Sequence, residues 1–343
     1  MNHDYWISPD TYKSLSIDLV LGNRCNFACS YCSSINYDGS LPWVDTDKII
    51  NLAAVIRDKM PYKRRRIYNL LGGEPTLMPR LDELLRGIKS VDPDAFIILT
   101  TNGSRTERFW SEISSYIDRC VFSVHLAQCD VDQIERNMKI CVEKGAWVIA
   151  NVLMDKAHWS KAVSACETYA AQAYAHCIYA KPVNTSIGSG ILQDYTPEQM
   201  DWLLNWRAQD SAAKARCLDL LPDVEDFQED NYGIYEPESD SWPYGGRHDH
   251  MIALGVNRFR DWQCWIGIDS MLIDAKGTVK GGSACNLGKV YGNFYQDDPR
   301  GWDWTPQPTI CQYHSCGCGN DLSARKFRNK TDSDHALAGL GYQ

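Results

Sequence analysis

From residue 15 to about 184 the chain alternates short apolar runs with longer amphipathic ones, and this rhythm restricts the fold more than any other feature. The strand-like runs are LSIDLVL (15–21), RIYNLLG (66–72), AFIILTT (95–101), RCVFSVHL (119–126), WVIANVLM (147–154) and HCIYAKPV (176–183). Between them lie helix-like stretches such as TDKIINLAAVIRDKM (46–60), PRLDELLRGIKS (79–90), ERFWSEISSYI (107–117) and VDQIERNMKICVEKG (131–145). Six strands separated by helical crossovers predict an α/β fold with a parallel sheet, open or curled into a partial barrel. In such sheets the chemistry sits at the C-terminal ends of the strands.

The remainder has a different character. TPEQMDWLLNWRAQDSAAKARCLDLL (196–221) reads as helical, and the acidic, aromatic stretch 222–250 reads as a long loop, either a lid or substrate wall or a disordered segment, with its Tyr and Trp content favouring the first. Together, 185–262 form a linker between the α/β part (1–184) and a cysteine-rich segment (263–320), with a loosely held tail over 321–343. The net charge of −9 leaves no broad basic face for duplex nucleic acid. No run of 18 apolar residues suggests a membrane span, and the N-terminus lacks the basic start and apolar core of a secretion signal. The expected location is therefore the cytoplasm, where thiols stay reduced. Fourteen cysteines there call for metal or redox chemistry rather than disulfides.

Three of them, Cys25, Cys29 and Cys32, are spaced CxxxCxxC immediately after the first predicted strand. A short loop there can aim three thiolates at one centre. A [4Fe–4S] cluster usually takes four thiolates, so three would leave one iron open to a ligand. Spacing alone equally allows a zinc knot completed by a distant cysteine, or three buried core thiols. A second motif, GGEP (72–75), follows the second predicted strand. Its glycines permit a close backbone approach to a ligand, and Glu74 together with exposed backbone groups suits an ammonium.

In this order and on these elements, the two motifs resemble those of the radical SAM superfamily, over roughly residues 15–184. The resemblance implies a partial (β/α)6 barrel and a [4Fe–4S] cluster on Cys25, Cys29 and Cys32. It implies S-adenosylmethionine bound at the open iron and near Gly72, Gly73 and Glu74, cleaved by one electron to a 5′-deoxyadenosyl radical that abstracts hydrogen from a substrate. It also implies further cofactor contacts: Tyr31 near the adenine, Ser123 and Asn151 in the barrel interior, and Asn102 of TTNGS at its mouth. Strand alternation groups Ser123 with His125 on the interior face. His125 is a candidate catalytic residue. So is Cys129, which lies just past the fourth strand and is placed to donate a hydrogen atom. The other cysteines, Cys120, Cys141, Cys166, Cys177 and Cys217, read as small core hydrophobes.

The segment WQCWIGIDSMLIDAKGTVKGGSACNLGKVYGN resembles the opening of the SPASM and twitch extensions of that superfamily, with a hairpin turning at Ala275-Lys276-Gly277. Five thiols, Cys264, Cys285, Cys311, Cys316 and Cys318, suit one auxiliary [4Fe–4S] cluster, with a tetrahedral zinc site as the alternative. The final CxxxxCxC departs from the usual spacing of such extensions. Enzymes with these extensions commonly crosslink, epimerise or oxidise ribosomal peptides or protein side chains, and the alternative is dehydrogenation of a small alcohol or sugar. A non-catalytic iron–sulfur electron carrier is the remote alternative. Only 24 residues precede Cys25, so a leader peptide, if there is one, is expected to be recognised by a separate protein. A flavodoxin- or ferredoxin-type reductant completes the expected partners.

Overall fold

The computed structural model describes residues 14–63, 65–172, 174–185, 193–203, 206, 232–236, 241–246 and 255–341. Six strands, β1 (Ser14–Val20), β2 (Arg65–Leu71), β3 (Phe96–Thr101), β4 (Arg119–Val124), β5 (Trp147–Leu153) and β6 (Cys177–Lys181), lie side by side in sequence order and all parallel. The crossovers carry α1 (Thr46–Lys59), α2 (Leu81–Val91), α3 (Glu107–Ile113), α4 (Val131–Glu143) and α5 (Trp159–Gln172). The predicted runs and the observed strands differ only at their ends, by one to three residues. Helix starts follow their caps: the side chains of Asp45, Thr106 and Asp130 accept from Lys48, Phe109 and Gln133 backbone N–H groups.

Each strand separates a helix-facing side from an interior side. On β1, Leu15, Ile17 and Leu19 are fully buried against the helices, while Ser16 and Asp18 face the other way. Interior neighbours then follow from register. Asp18 lies beside Asn69, which donates to both Ser16 Oγ and Asp18 Oδ1. Ser123 lies beside Asn151, and Asn151 beside Tyr179.

The cysteine-rich segment is less separate than its composition suggests. β10 (Ser270–Ile273) pairs parallel with β1, and β11 (Thr278–Gly281) and β12 (Val290–Asn293) continue outward, so the predicted hairpin extends the main sheet to nine strands. Its turn is where the sequence puts it, with Gly277 at φ 95°. A three-stranded sheet, β13 (Thr309–Ile310), β9 (Gln263–Cys264) and β14 (Lys326–Phe327), packs beside it. Short α6 (Gly319–Ser323) and α7 (Lys330–Ala338) follow β13 and β14.

The expectation of a loose tail fails over 321–338. Leu322, Ala324 and Lys326 are buried, and Ser333 accepts a hydrogen bond from Trp265 Nε1 at 2.8 Å. The deepest tie is ionic. Asp269, ahead of β10, takes Arg325 Nε and Nη2 at 2.8 Å each and pairs with Lys63 at the entry to β2. All three are buried, so one carboxylate bolts the C-terminal region to the base of the first strands. Of the expected linker, the helix over 196–221 and the acidic loop over 222–250 lie mostly outside the described residues. A two-stranded hairpin, β7 (Tyr232–Glu236) with β8 (Ser241–Gly246), is described there. Among the described residues no helix is long and apolar enough to cross a membrane.

Candidate active site

The ends of β1 to β4 surround a cavity of about 350 Å³. Cys25, Cys29, Cys32 and Tyr31 line it from the loop after β1, Gly72, Gly73 and Glu74 from the loop after β2, Asn102 from beyond β3, and Ser123 and His125 from β4 and its end. The structure thus brings together ten of the residues singled out from sequence. Among the described residues, Asn151 and Cys129 do not line this cavity. Asn151 sits next to Ser123 in the sheet. Cys129 lies one turn past β4, its N–H bonded to His125 O at 3.0 Å. Phe27, Asn36, Tyr37, Leu71, Thr100 and Thr101 also line the cavity and were not anticipated. Only Thr100 and Thr101 carried a sequence signal, through their place in TTNGS.

The cysteine loop is held open from its base. Asn23, buried at the end of β1, accepts from Leu41 N–H at 2.8 Å through its side-chain oxygen and donates to Asp38 Oδ1 at 2.7 Å. That closes the excursion 23–41 onto itself and turns the three thiols inward. Cys25 Sγ accepts from Phe27 N–H at 3.3 Å. His125 Nδ1 stands 3.4 Å from Cys29 Sγ and 2.7 Å from Tyr31 Oη, with the Tyr31 and His125 rings stacked. Burial pushes all three thiols up, Cys29 to about 11, and the same desolvation brings His125 down to about 4, so His125 is neutral at ordinary pH.

The GGEP loop has a different role from the one its glycines suggested. A Cβ on Gly72 would meet Gly22 O at 2.3 Å, and one on Gly73 would meet Arg24 O at 2.4 Å. The glycines therefore admit the strand leading into Cys25, not a ligand alone. Their N–H groups are not left bare either: Gly73 N–H donates to Gly22 O at 3.1 Å and Glu74 N–H to Arg24 O at 2.8 Å. Glu74 is 1% exposed, and its carboxylate accepts from Thr76 N–H (3.0 Å), Thr76 Oγ1 (2.6 Å), Thr101 Oγ1 (2.8 Å) and Asn102 N–H (2.6 Å). Burial raises its carboxyl against those four bonds. Glu74 is thus a strut joining the ends of β1, β2 and β3 as well as part of the cavity wall. Asn102, held by this strut, donates to Asn26 Oδ1 at 2.9 Å.

Three thiols from one loop, on one wall of a cavity large enough for more than a single ion, fit a polynuclear cluster. In such a cluster each thiolate meets a separate iron. Among the described residues no three His, Cys, Asp or Glu side chains close on a single-ion position.

The C-terminal thiols form a second gathering. Cys264, Cys285 and Cys311 share one apolar cluster with Ile266 and Ala324, while Cys311 and Cys316 pack beside Phe259 and Leu322. Cys318 caps the start of α6. Asp321 pins Cys285, its carboxylate accepting from the N–H groups of Ser283, Ala284 (2.9 Å) and Cys285 (2.8 Å). Burial raises Cys264 to about 11 and Cys316 to about 12, with the Lys326 ammonium opposing it in both. Cys120, Cys141, Cys166 and Cys177 are buried in the α/β part, and Cys217 lies outside the described residues.

Residues 19–155 match the family model described as the Radical SAM superfamily. Among curated relatives, the GTP 3′,8-cyclase of Microcystis aeruginosa is 33% identical over 92 residues, covering 26% of this chain and 27% of the relative. That of Mycolicibacterium smegmatis is 31% identical over 99 residues, covering 27% of each. The chain thus spans about a quarter of the length of the curated relatives it matches. A solved structure, native anSMEcpe with bound AdoMet, is 14% identical with a TM-score of 0.49, covering 82% of this chain and 78% of that one. Streptococcus suis SuiB bound to precursor peptide SuiA is 13% identical with a TM-score of 0.48, covering 78% and 59%. The match to the Radical SAM superfamily model thus covers the part of the chain that carries both the CxxxCxxC loop and the GGEP loop.

Proposed function

We propose that this chain binds a [4Fe–4S] cluster on Cys25, Cys29 and Cys32 together with S-adenosylmethionine, cleaves the latter reductively, and directs the resulting radical to a substrate hydrogen. The observation that supports this most is the shared cavity: the CxxxCxxC thiols and the GGEP loop line one space of about 350 Å³ at the C-terminal ends of parallel strands. The bound cluster and S-adenosylmethionine supply the electron transfer and the radical chemistry. The protein holds and positions them. Three thiols leave one iron of a four-iron cluster free, and the GGEP loop is bonded to the segment entering Cys25, so displacement of one displaces the other. Tyr31, Asn102, Ser123 and His125 line the remaining wall, where the nucleoside would lie. Strands β1 to β6, in order and parallel, serve as the partial (β/α)6 barrel that walls the radical from water.

The cysteine-rich region is proposed as a SPASM- or twitch-like extension with one auxiliary [4Fe–4S] cluster drawn from Cys264, Cys285, Cys311, Cys316 and Cys318. Cys264, Cys285 and Cys311 share one apolar cluster, and the resemblance to such extensions favours an iron–sulfur cluster there over one tetrahedral zinc ion. The substrate class carried forward is a ribosomal peptide or protein side chain, because the extension is the feature associated with that chemistry. A flavodoxin- or ferredoxin-type reductant is the partner this chemistry requires. The deciding experiment is anaerobic reconstitution with iron and sulfide, followed by dithionite and S-adenosylmethionine. Release of 5′-deoxyadenosine is expected, and its absence from a protein with a full iron complement overturns the assignment. A peptide substrate is separated from a small alcohol by which of the two accelerates that release.

A further inference from the structure

Lys326 is 1% exposed and lies near enough to two of the C-terminal thiols, Cys264 and Cys316, for its charge to act on both. In the β9–β14 ladder it stands directly opposite Cys264, so both side chains leave the sheet on the same face. Its ammonium has three protons, and three carbonyls take them: Asp321 O at 2.8 Å, Leu322 O at 3.2 Å and Ala324 O at 2.7 Å. The ring of Phe259 lies 4.9 Å from the nitrogen. Hydrogen bonding is therefore complete, but the charge is not balanced. Among the described residues no carboxylate pairs with it, and the carboxylate of nearby Asp321 is turned onto the amides of 283–285. A fully buried cation without an anion is costly. Neutral thiols do not supply one. Ligated thiolates do, since a centre carried by four of them bears a net negative charge.

We propose that Lys326 is the fixed counter-ion of the C-terminal cysteine site, its ammonium stabilising the thiolate-bound centre there and raising that centre's reduction potential. This rests on the reading of those cysteines as a second cluster. A positive charge held beside a cluster favours the form with one more electron, so its loss moves the potential to more negative values. Lys326 is a positioning residue in this account: it touches no substrate, and the three carbonyls fix where its charge sits.

The test uses the full chain with Cys25, Cys29 and Cys32 replaced by Ala, which isolates the C-terminal centre after anaerobic loading with ferrous iron and sulfide. Lys326→Gln keeps hydrogen-bond donors but not the charge, Lys326→Met fills the same apolar slot, and Lys326→Arg keeps the charge. In whichever neutral variant folds, the midpoint potential in an EPR-monitored titration should fall, and a chelator should strip the iron at roughly tenfold lower concentration. Lys326→Arg should stay close to the parent. An unchanged potential and iron retention in a folded neutral variant overturns the proposal while leaving the second cluster in place. An Arg variant shifted as far as the neutral ones also overturns it, because packing rather than charge would then be at work. A parent protein that takes up no iron overturns the second-cluster reading and this proposal with it.

Discussion

The two groups of cysteines are built in opposite ways. Cys25, Cys29 and Cys32 come from eight consecutive residues, and one loop closed by Asn23 carries them all. Cys264, Cys285, Cys311, Cys316 and Cys318 come from a strand, a turn and a later loop, with a buried carboxylate on the Cys285 amide and a buried ammonium opposite Cys264. The first group opens on a cavity; the second is packed among apolar side chains and carries its own fixed charge. A site that must admit a cofactor and a substrate needs empty space beside its metal. One that only holds or passes electrons does not, and tight packing there fixes the surroundings that set its potential. That contrast yields predictions in which damage to one group should leave the other intact.

The largest expected effect separates them outright. Cys29→Ala should abolish 5′-deoxyadenosine release while leaving about half of the roughly eight irons of a two-cluster protein. The double change Cys264→Ala and Cys285→Ala should do the reverse, sparing cleavage of S-adenosylmethionine but ending substrate turnover. Iron analysis and product assay on the same samples decide it, and loss of cleavage in both variants would break the contrast.

Next in size is the bolt between the two regions. Asp269→Asn leaves Lys63 and Arg325 buried against no carboxylate, and truncating a buried pair in this way costs about 3–5 kcal/mol. Burial alone raises the Asp269 carboxyl, but Arg325 and Lys63 outweigh it and hold it at about 2, below the ordinary 3.8. The folded protein therefore keeps that carboxylate ionised where the unfolded chain does not. Its contribution is complete above about pH 4 and disappears as pH falls through 2. Denaturant titrations should show the gap between native protein and variant narrowing over that window. A gap independent of pH there would mean the carboxylate is not what the bolt depends on.

Smaller again is Glu74→Gln. It turns an acceptor oxygen into a donor facing Thr76, Thr101 or the Asn102 amide, and losing a charge-assisted bond of this kind costs roughly 1.5–3 kcal/mol. Affinity for S-adenosylmethionine should fall by about tenfold with the cluster's absorbance preserved, as read by equilibrium binding. The least effect is expected from Tyr31→Phe, which removes one hydrogen bond to His125 worth about 0.5–1.5 kcal/mol. A several-fold loss of affinity with normal iron content would be its mark, whereas loss of iron would make Tyr31 a support for Cys29 instead.

Much of the α/β part was legible because the same residues that define its strands also face its helices. Leu15, Ile17 and Leu19 announce β1 by alternation, and Asp45 and Asp130 announce helix starts by capping, both local effects. The site was legible for a related reason: CxxxCxxC and GGEP each sit on a single loop. What escaped was non-local. Nothing in RIYNLLGGEP shows that its glycines are required by Gly22 and Arg24, some fifty residues earlier, because a clash has no signature in the strand that avoids it. Likewise, Lys and Arg in ARKFRNK read as an exposed tail, since charged residues are ordinarily solvated. The burial of Arg325 and Lys326 depends on Asp269 and on carbonyl groups that composition does not reveal.

By itself, then, the sequence determined the order and direction of β1 to β6, the placement of three thiols beside the GGEP loop, and the turn of the C-terminal hairpin at Gly277, all set by local propensity and by short spacing along the chain. Tertiary structure alone decided that this hairpin joins β1 to enlarge the main sheet, that Glu74 braces the loops at the strand ends, and that Lys326 comes to lie opposite Cys264. Those outcomes turn on which distant groups meet in the absence of water, where pairing of one charge or one amide outweighs the preference of any single residue.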